Sequence, residues 1–348
     1  MFIAVDAMGG DFAPRAVVEG AVAAAAQGIG VFLVGDSRAI GRELERLGVD
    51  PHGTPHLLVE HAEQVVGMEE RAIAVAQKRQ ASMRVCARLV KEGRAQAMVT
   101  AGNTGAALIV AKTVIGTLPG VDRPALAGVF PNRNGRTVVL DVGANVGAKA
   151  SHLCQFAVMG HFYAEAILGT AKPRVGVLSN GEEEGKGTEV TREVYKILKR
   201  TDLNFVGNVE GRDIFRGSVD VIVCDGFVGN AVLKSSESLA SYLGSLMKRE
   251  LRSSLRTVVG YWLAQPALQE FRRLTDWAEY GAAPLLGVKA GCFIGHGRSN
   301  AKAICNAIRR AAEFCAADLD GRIRDKLAEL DFDKLLDKPR QAAPGAPA

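Results

Sequence analysis

One structural unit recurs along this chain of 348 residues. A short apolar run ends in a loop rich in glycine and polar residues, and a segment with helical spacing follows. The runs with strand character are 2–6, 31–35, 56–61, 97–100, 136–141, 175–178, 203–206 and 220–224, and the helices predicted between them include 14–27, 37–47, 69–93 and 151–168. Strands that alternate with helices predict an α/β fold with a mostly parallel sheet.

The loop in RVGVLSNGEEEGKGTEVT (174–191) is the most informative of these. A strand is predicted up to Leu178, and Thr188 is a predicted N-cap of the next helix. Backbone N–H groups and a lysine at a helix start can hold a phosphate or an oxyanion, and glycines let the backbone approach it closely. The candidate residues are Asn180, Gly181, Gly185, Lys186 and Gly187. An ordinary strand-to-helix turn with a solvated acidic run explains the loop equally well, because its spacing matches no Walker-type or GxGxxG motif.

Similar loops follow other predicted strands. Their candidate ligand-binding residues are Asp6, Gly9, Gly10, Asn103, Thr104, Gly105, Asn145, Asp225, Gly226 and Gly229. Because parallel strands present their carboxyl ends at one edge of a sheet, we expect these loops to converge there on a single site. Helix capping alone explains Asn103 and Thr104 nearly as well.

His296 lies between two glycines just before a predicted helix. This position suits a ligand-facing imidazole or a general base, and equally a loop histidine whose hydrogen bonds are satisfied locally. The chain contains no GxSxG elbow, which disfavours a serine nucleophile. It also contains no GxGxxG followed by an acidic residue, which disfavours a nicotinamide-dependent dehydrogenase.

Composition is that of a globular enzyme, with 48% hydrophobic residues and 39 glycines. The net charge of +5 is mild and most bases are scattered, so no nucleic-acid partner is expected. Six cysteines without a CxxC pair or a cysteine–histidine cluster predict reduced thiols and no metal site. The sequence lacks a signal peptide and any apolar run of roughly 18 residues, so a cytoplasmic protein without a membrane span is predicted.

Residues from about 229 to 277 are predicted to be almost continuously helical, with a break near Pro266. A hairpin at about 245–277 is expected to protrude with an apolar face between basic flanks. Its surface residues are Leu255, Val258, Val259 and Trp262 on the apolar face, and Arg252, Arg256, Arg272 and Arg273 on the flanks. This surface suits an anionic membrane or an acidic partner, and a helix in a dimer interface explains it as well. Residues 1–335 are expected to form one domain, followed by a disordered tail at 336–348.

Several sequence blocks, in order over residues 2–316, resemble one family. They are AVDAMGGD at 4–11, TAGNTGA at 100–106, LDVGAN at 140–145, NGEEEGKGTE at 180–189, NVEGRD at 208–213, VCDGFVGN at 223–230, and YGAAPLLGV with HGRSN near 280–300. Together they resemble the bacterial phosphate acyltransferases, the acyl-carrier-protein:phosphate transacylases of phospholipid synthesis. The resemblance implies a three-layer α/β/α, Rossmann-like sheet related to phosphotransacetylase and isocitrate dehydrogenase-like folds, and a homodimer.

The resemblance also implies a reaction and roles for individual residues. Long-chain acyl-carrier protein and orthophosphate would give acyl phosphate and free carrier protein, without a cofactor. Lys186 and Asn230 resemble the catalytic pair of the family, with His296 a candidate to protonate the leaving sulfur. The expected partners are acyl-carrier protein, a peripheral membrane surface and a downstream glycerol-3-phosphate acyltransferase. Two alternatives stay open: a phosphotransacetylase that uses acyl-coenzyme A, and a non-catalytic scaffold that binds acyl-carrier protein at the membrane.

Overall fold

The strands of the computed structural model form one sheet, and the structure describes residues 1–50, 53–266, 268 and 277–330. In chain order the strands are β1 (Phe2–Asp6), β2 (Gly30–Gly35), β3 (Leu57–His61), β4 (Ala97–Thr100), β5 (Ala125–Asn132), β6 (Gly135–Leu140), β7 (Val175–Leu178), β8 (Phe205–Val209), β9 (Val221–Val223), β10 (Ala282–Leu286) and β11 (Gly291–Gly295). Their order across the sheet is β3-β2-β1-β4-β11-β10-β5-β6-β9-β7-β8.

Helices cover the sheet on both faces, which confirms the three-layer α/β/α fold. Along β1, Ile3 and Val5 point into one apolar cluster and Ala4 into the other, because successive strand residues face opposite sides. The helices are α1 (Arg15–Ala25), α2 (Ser37–Arg46), α3 (Ala74–Gln77), α4 (Ser82–Lys91), α5 (Thr104–Val110, followed by a π-helical turn at Ala111–Ile115), α6 (Ala150–Leu168), α7 (Glu189–Leu198), α8 (Asp213–Arg216), α9 (Gly226–Leu251), α10 (Leu255–Leu263), α11 (Ala301–Ala316) and α12 (Leu319–Glu329). The first cluster includes side chains of α1, α2, α6, α7 and α11, and the second includes those of α4, α5 and α9.

Strand directions divide the sheet into two halves. One half contains β1, β2, β3, β4 and β11, which are parallel, and the other contains β6, β7, β8 and β9, which are also parallel. The antiparallel pairs β11–β10, β10–β5 and β5–β6 lie between them, so the second half runs opposite to the first. The sheet is mostly parallel, as predicted, but the expectation that all the loops meet at one edge is wrong. The carboxyl ends of β1 and β4 lie at one edge, and those of β6, β7 and β9 at the other.

The strands that reverse the direction were not predicted. In β10, Pro284 lies in the middle of the strand and is paired with Phe293, although proline usually argues against a strand interior. In β5, Gly128 and Pro131 interrupt the apolar pattern that would otherwise indicate a strand. Because β5 and β10 were not predicted as strands, the reversal of strand direction between the two halves of the sheet was not predicted either.

The predicted helix at 69–93 is also partly wrong. It is interrupted after α3, where Lys78 leaves helical geometry. The chain there forms sheet-like hydrogen bonds instead: Gln64 N donates to Gln80 O, and Ser82 N donates to Gln64 O. Helix formation resumes at Ser82 and ends at Lys91.

The long helical region begins earlier than predicted and has a break that was not predicted. Helix α9 starts at Gly226 and ends at Leu251, and the chain breaks at 252–254. Helix α10 ends at Leu263 with Ala264 as its C-cap, close to the predicted break near Pro266. Ser254 then caps α10 by accepting a hydrogen bond from Thr257 N. No helix among the described residues is both long and apolar enough to cross a membrane. The side chains of Leu255 and Val259, residues 269–276 with Arg272 and Arg273, and the tail at 336–348 lie outside the described residues.

Candidate active site

The loop after β1 is organised around the carboxylate of Asp6. This side chain is buried and accepts hydrogen bonds from Thr100 Oγ1 (2.7 Å) and Met8 N (3.2 Å). Burial raises the pKa of Asp6, and these hydrogen bonds oppose the shift. A Cβ at Gly9 would lie 2.6 Å from Asp6 Oδ2, so glycine is required there. Both residues therefore hold the loop in place from below the surface.

The loop after β4 carries one half-buried and one exposed polar residue. Asn103 caps α5 through its Oδ1, which accepts a hydrogen bond from Ala106 N, and its Nδ2 donates to Met68 O and Glu70 O. Both polar atoms of the Asn103 side chain are therefore hydrogen-bonded to the backbone of the protein. The side chain of Thr104, by contrast, is exposed and lines a cavity.

The loop after β6 is organised around Asp141, a buried residue that was not singled out from the sequence. Its carboxylate accepts hydrogen bonds from five donors. They are the backbone N–H groups of Leu126, Gly143, Ala144 and Asn145 and the side-chain Nδ2 of Asn145. Burial raises the pKa of Asp141 and these donors oppose the shift. Because Asn145 Nδ2 also donates to Pro124 O at 2.8 Å, its amide is committed to holding this loop.

Helix α9 is docked on the same loop. Its N-cap, Asp225, accepts hydrogen bonds from Phe227 N (2.9 Å) and Ala148 N (2.7 Å). A Cβ at Gly226 would lie 2.6 Å from Asp141 Oδ2, and one at Gly229 would overlap Asp141 O. These two glycines therefore allow the first turn of α9 to contact the loop directly.

The acidic run of the Lys186 loop has partners of its own. Glu182 forms an ion pair with Arg212 (2.9 Å), and Glu184 forms one with Lys199 (3.2 Å). Both pairs are exposed, so each contributes little to stability. Their main consequence is that neither carboxylate neutralises the Lys186 ammonium.

Lys186 itself is exposed, and within the described part of the chain its ammonium has no ion-pair partner. The loop is closed by hydrogen bonds from Lys186 N to Glu183 O (3.0 Å) and from Gly187 N to Asn180 Oδ1 (2.9 Å). Thr188 accepts a hydrogen bond from Thr191 N, which confirms the predicted N-cap of α7. A free cation therefore lies beside the start of a helix.

A cavity of about 380 Å³ joins the two halves of the sheet. Its polar wall contains Asn230 and Lys234 from α9, Thr104 from the first half, and His296 from the loop after β11. Asn230 also lies against Gly143, where a Cβ would come within 3.4 Å of Asn230 Oδ1. Helix α9 thus links the loop after β6 to His296, although the two loops follow strands of opposite direction.

The cavity brings together some of the predicted site residues and not others. Asn230, His296 and Thr104 line it. Lys186 is not among its lining residues, and the same holds for the remaining candidates, which are Asp6, Gly9, Gly10, Asn103, Gly105, Asn145, Asn180, Gly181, Gly185, Gly187, Asp225, Gly226 and Gly229.

His296 is half-buried, and its ring nitrogens differ in role. Nδ1 accepts a hydrogen bond from Arg298 N at 3.2 Å, so the neutral imidazole carries its proton on Nε2. Burial, followed by the nearby charge of Lys234, lowers the pKa of His296, while Glu237 opposes the shift. The ring is therefore a neutral hydrogen-bond donor near pH 7.

Lys234 was missed by the sequence analysis. It lies four residues after Asn230 on α9, so both side chains share one face of the helix. Its ammonium forms an ion pair with Glu237 at 3.0 Å. The spacing of Asn230 and Lys234 on a predicted helix was the available signal, and it could have placed a cation beside the amide.

Comparison with known proteins identifies close relatives. Residues 1–322 match the family described as "Fatty acid synthesis protein". The chain is 49% identical to a phosphate acyltransferase of Trichlorobacter lovleyi over 99% of both chains. It is 51% identical to a phosphate acyltransferase of Geotalea uraniireducens over 94% of this chain and 95% of that protein.

A solved structure shares the fold. The crystal structure of a phosphotransacetylase from Streptococcus pyogenes superposes with a TM-score of 0.58 over 90% of this chain and 94% of that chain. Sequence identity over the match is 18%, so this likeness bears on the fold alone. It confirms the predicted relation to the phosphotransacetylase fold.

Proposed function

The chain belongs to the fatty acid synthesis protein family and is an acyltransferase, and we propose that it transfers a long-chain acyl group from acyl-carrier protein to orthophosphate. The products are acyl phosphate, which feeds phospholipid synthesis, and free carrier protein. One observation carries the proposal: the cavity joins the polar groups of Asn230, Lys234 and His296 to walls that are otherwise mostly apolar. A long-chain acyl thioester and a phosphate have the matching combination of chemistry.

The reaction requires no covalent enzyme intermediate. A phosphate oxygen attacks the thioester carbonyl carbon, which forms a C–O bond and a tetrahedral oxyanion. The oxyanion then collapses, the C–S bond breaks, and the electron pair leaves with sulfur as a thiolate. A thiol with a pKa of about 8.5 is a good leaving group, so the enzyme mainly positions the reactants and stabilises the oxyanion.

The residues of the cavity suit these steps. The Asn230 amide donates a hydrogen bond to the carbonyl oxygen and keeps it as negative charge develops. One helical turn away, the Lys234 ammonium neutralises the phosphate. The Nε2–H of the neutral His296 ring donates a hydrogen bond to the departing thiolate, which can then take a proton from solvent, and Thr104 donates to a phosphate oxygen from the opposite wall.

Lys186 supplies a second cation from outside the cavity. Its loop follows β7 and Asn230 follows β9, and these neighbouring parallel strands end at the same edge of the sheet. In this proposal the exposed ammonium neutralises phosphate as it arrives. The glycines of the Lys186 loop let its backbone approach the phosphate, while Gly9, Gly226 and Gly229 allow close packing of the loops. Asp6, Asn103, Asn145, Asn180 and Asp225 hold these loops in place.

The surface of α9 and α10 suggests where partners bind. Apolar side chains are exposed there, with Trp262 at 72% and Leu263 at 69% of their full accessibility. Arg252, the C-cap of α9, and Arg256, in the first turn of α10, are also exposed. An apolar surface beside arginines suits an anionic membrane surface, and it suits the acidic acyl-carrier protein.

Two further parts of the proposal concern assembly. The enzyme acts as a homodimer, and it delivers acyl phosphate to a glycerol-3-phosphate acyltransferase at the membrane. The exposed apolar residues Leu239, Tyr242 and Leu243 of α9 support an interface of some kind on this helix, because side chains of this size are usually covered.

One assay tests the proposed reaction against its alternatives. Free thiol is measured with palmitoyl-acyl-carrier protein or acetyl-coenzyme A as the donor, each with and without orthophosphate. Phosphate-dependent release that favours the palmitoyl carrier protein is expected. Preference for acetyl-coenzyme A would support a phosphotransacetylase instead, and binding of the carrier protein without release from either donor would support the scaffold.

A further inference from the structure

The sheet contains an opening between β5 and β10. These strands share two residue pairs, of which the last is Leu126–Leu285. Beyond it, in the described chain, β10 pairs only with β11 and β5 only with β6. At the other end of the opening, the Arg136 guanidinium carbon lies 5.4 Å from the ring centroid of Tyr280. A backbone pair and a cation–π contact therefore bound the opening at its two ends.

The cavity passes through this opening from one face of the sheet to the other. Leu233 and Ile294, which line it, belong to the apolar cluster on the α9 face. Tyr163, Ile167 and Phe293 also line it and belong to the cluster on the α6 face. One continuous space thus connects Asn230 to the surface of α6.

The charges of this space are separated. Lys234 and Glu237 lie on the α9 side with His296. Arg136 is on the same side of β6 as Val138, and Arg310 belongs to α11, so both arginines are on the α6 side. Between these sets, the lining consists of apolar side chains, alanines and glycines from β5, β10 and β11. An uncharged passage through a sheet excludes a phosphorylated or zwitterionic ligand and suits a hydrocarbon chain.

We propose that this opening is the acyl-chain site, with the thioester at Asn230 and the chain threaded through the sheet so that its methyl end lies beside Tyr163, Ile167 and Leu168. This inference rests on the proposed function and adds the place where the chain binds. It follows that residues on the α6 side, far from the reacting atoms, set the chain length that the enzyme accepts.

Ala282 offers the sharpest test. It lines the cavity and packs against the cluster on the α6 face, so a larger side chain there shortens the passage. We expect Ala282→Leu to reduce the ratio of kcat/KM for palmitoyl-acyl-carrier protein to kcat/KM for butyryl-acyl-carrier protein by a factor on the order of ten. Ala166→Leu is the matched control, because Ala166 packs against the same cluster outside the cavity. If this ratio of kcat/KM values is unchanged in a folded Ala282→Leu, or changes equally in Ala166→Leu, the proposal is overturned.

A second measurement separates this proposal from the proposed reaction. Fluorescent cis-parinaric acid is bound to the wild type and displaced with palmitate, with no acyl transfer involved. Displaceable binding that weakens in Ala282→Leu and not in Ala166→Leu supports the site even if thiol release fails. Equal binding by both variants overturns the site even if thiol release succeeds.

Discussion

Gly229 lies so close to the carbonyl oxygen of Asp141 that a Cβ on it would overlap that oxygen. This contact fixes the first turn of α9 on the loop after β6. The next residue, Asn230, is thereby held against Gly143 and faces the cavity. The position of the proposed oxyanion donor therefore depends on a glycine that makes no polar contact with substrate.

Gly229→Ala should destabilise the protein and reduce turnover. The added methyl group forces α9 away from Asp141, and overpacking of this kind costs about 1–3 kcal/mol or more in the free energy of unfolding. Gly244→Ala, on the same helix, is the control, because nothing lies within 4 Å of its Cβ position. It should stabilise by up to about 1 kcal/mol, since alanine is the better helix former. Urea unfolding measures both, and equal midpoints for the two variants would contradict the account.

Lys234→Ala should lower kcat/KM for orthophosphate by roughly 100-fold, because a cation at the reacting phosphate is lost. Lys186→Ala should retain its fold and lose most turnover as well, with a higher KM for phosphate. Lys196→Ala, which removes an exposed lysine of α7, should have no effect. Phosphate titration of the three variants separates these roles, and near-wild-type turnover would remove the lysine concerned from the mechanism.

The individual strand–loop–helix units of this fold could be predicted from the sequence, but the relative direction of their strands could not. The cap at Thr188 and the strand that ends at Leu178 are signalled by a few neighbouring residues, and both are confirmed. The reversal of strand direction in the sheet depends on β5 and β10. Neither strand was predicted, because Pro131 and Pro284 argue against a strand. A pattern that covers a few residues cannot report pairing between strands more than 150 residues apart.

The short range of local sequence patterns also explains which site residues were predicted. Glycines and polar residues in loops are conspicuous, and many of them prove to hold the backbone, as Asp6 and Asn145 do. The apolar walls of the cavity come mainly from β5, β10 and β11, and β5 is far from the other two in the sequence, so no local motif marks them. Lys234 is signalled only by its spacing from Asn230, because a lysine on a helix is by itself usually only solvated.

Acidification should destabilise the protein through its buried histidines. His152 Nδ1 accepts a hydrogen bond from Lys149 N (3.1 Å), and burial, followed by the charge of Arg123, lowers the pKa of His152. Between this lowered pKa and the ordinary value of about 6.5, the unfolded chain binds more protons than the folded one. The contribution of His152 to the free energy of unfolding therefore falls as the pH drops through that window, and the lowered pKa values of His161 and His296 act in the same direction. Asp320, whose pKa burial raises to about 6, acts in the opposite direction.

Melting temperatures at about pH 7.5 and about pH 5.5 check this expectation. His152→Asn should weaken the pH dependence, because the amide oxygen keeps an acceptor for Lys149 N and does not titrate. His56→Asn replaces an exposed histidine and should leave the dependence as in the wild type. An identical dependence in both variants would show that His152 does not contribute.

Replacing apolar residues of α10 with aspartate should abolish association with anionic vesicles. Val258 and Trp262 are exposed at 44% and 72% of their full accessibility, beside Arg252 and Arg256. Negative charge on this face opposes both apolar insertion and attraction to the lipid headgroups. Flotation with phosphatidylglycerol vesicles is compared for Val258→Asp plus Trp262→Asp and for Val206→Asp, an exposed valine of β8. If the double variant floats as the wild type does, the membrane surface lies elsewhere.

The central claim is that acyl transfer to phosphate takes place beside Asn230, and one measurement tests it most directly. Thiol release from palmitoyl-acyl-carrier protein is followed against orthophosphate concentration for the wild type and Asn230→Ala, with the acyl phosphate trapped as a hydroxamate. We expect release by the wild type to require phosphate and to yield one hydroxamate for each thiol. Asn230→Ala should be roughly 100- to 1,000-fold slower, the usual cost of losing an oxyanion donor. Phosphate-independent release, or unchanged turnover of a folded Asn230→Ala, would contradict the account.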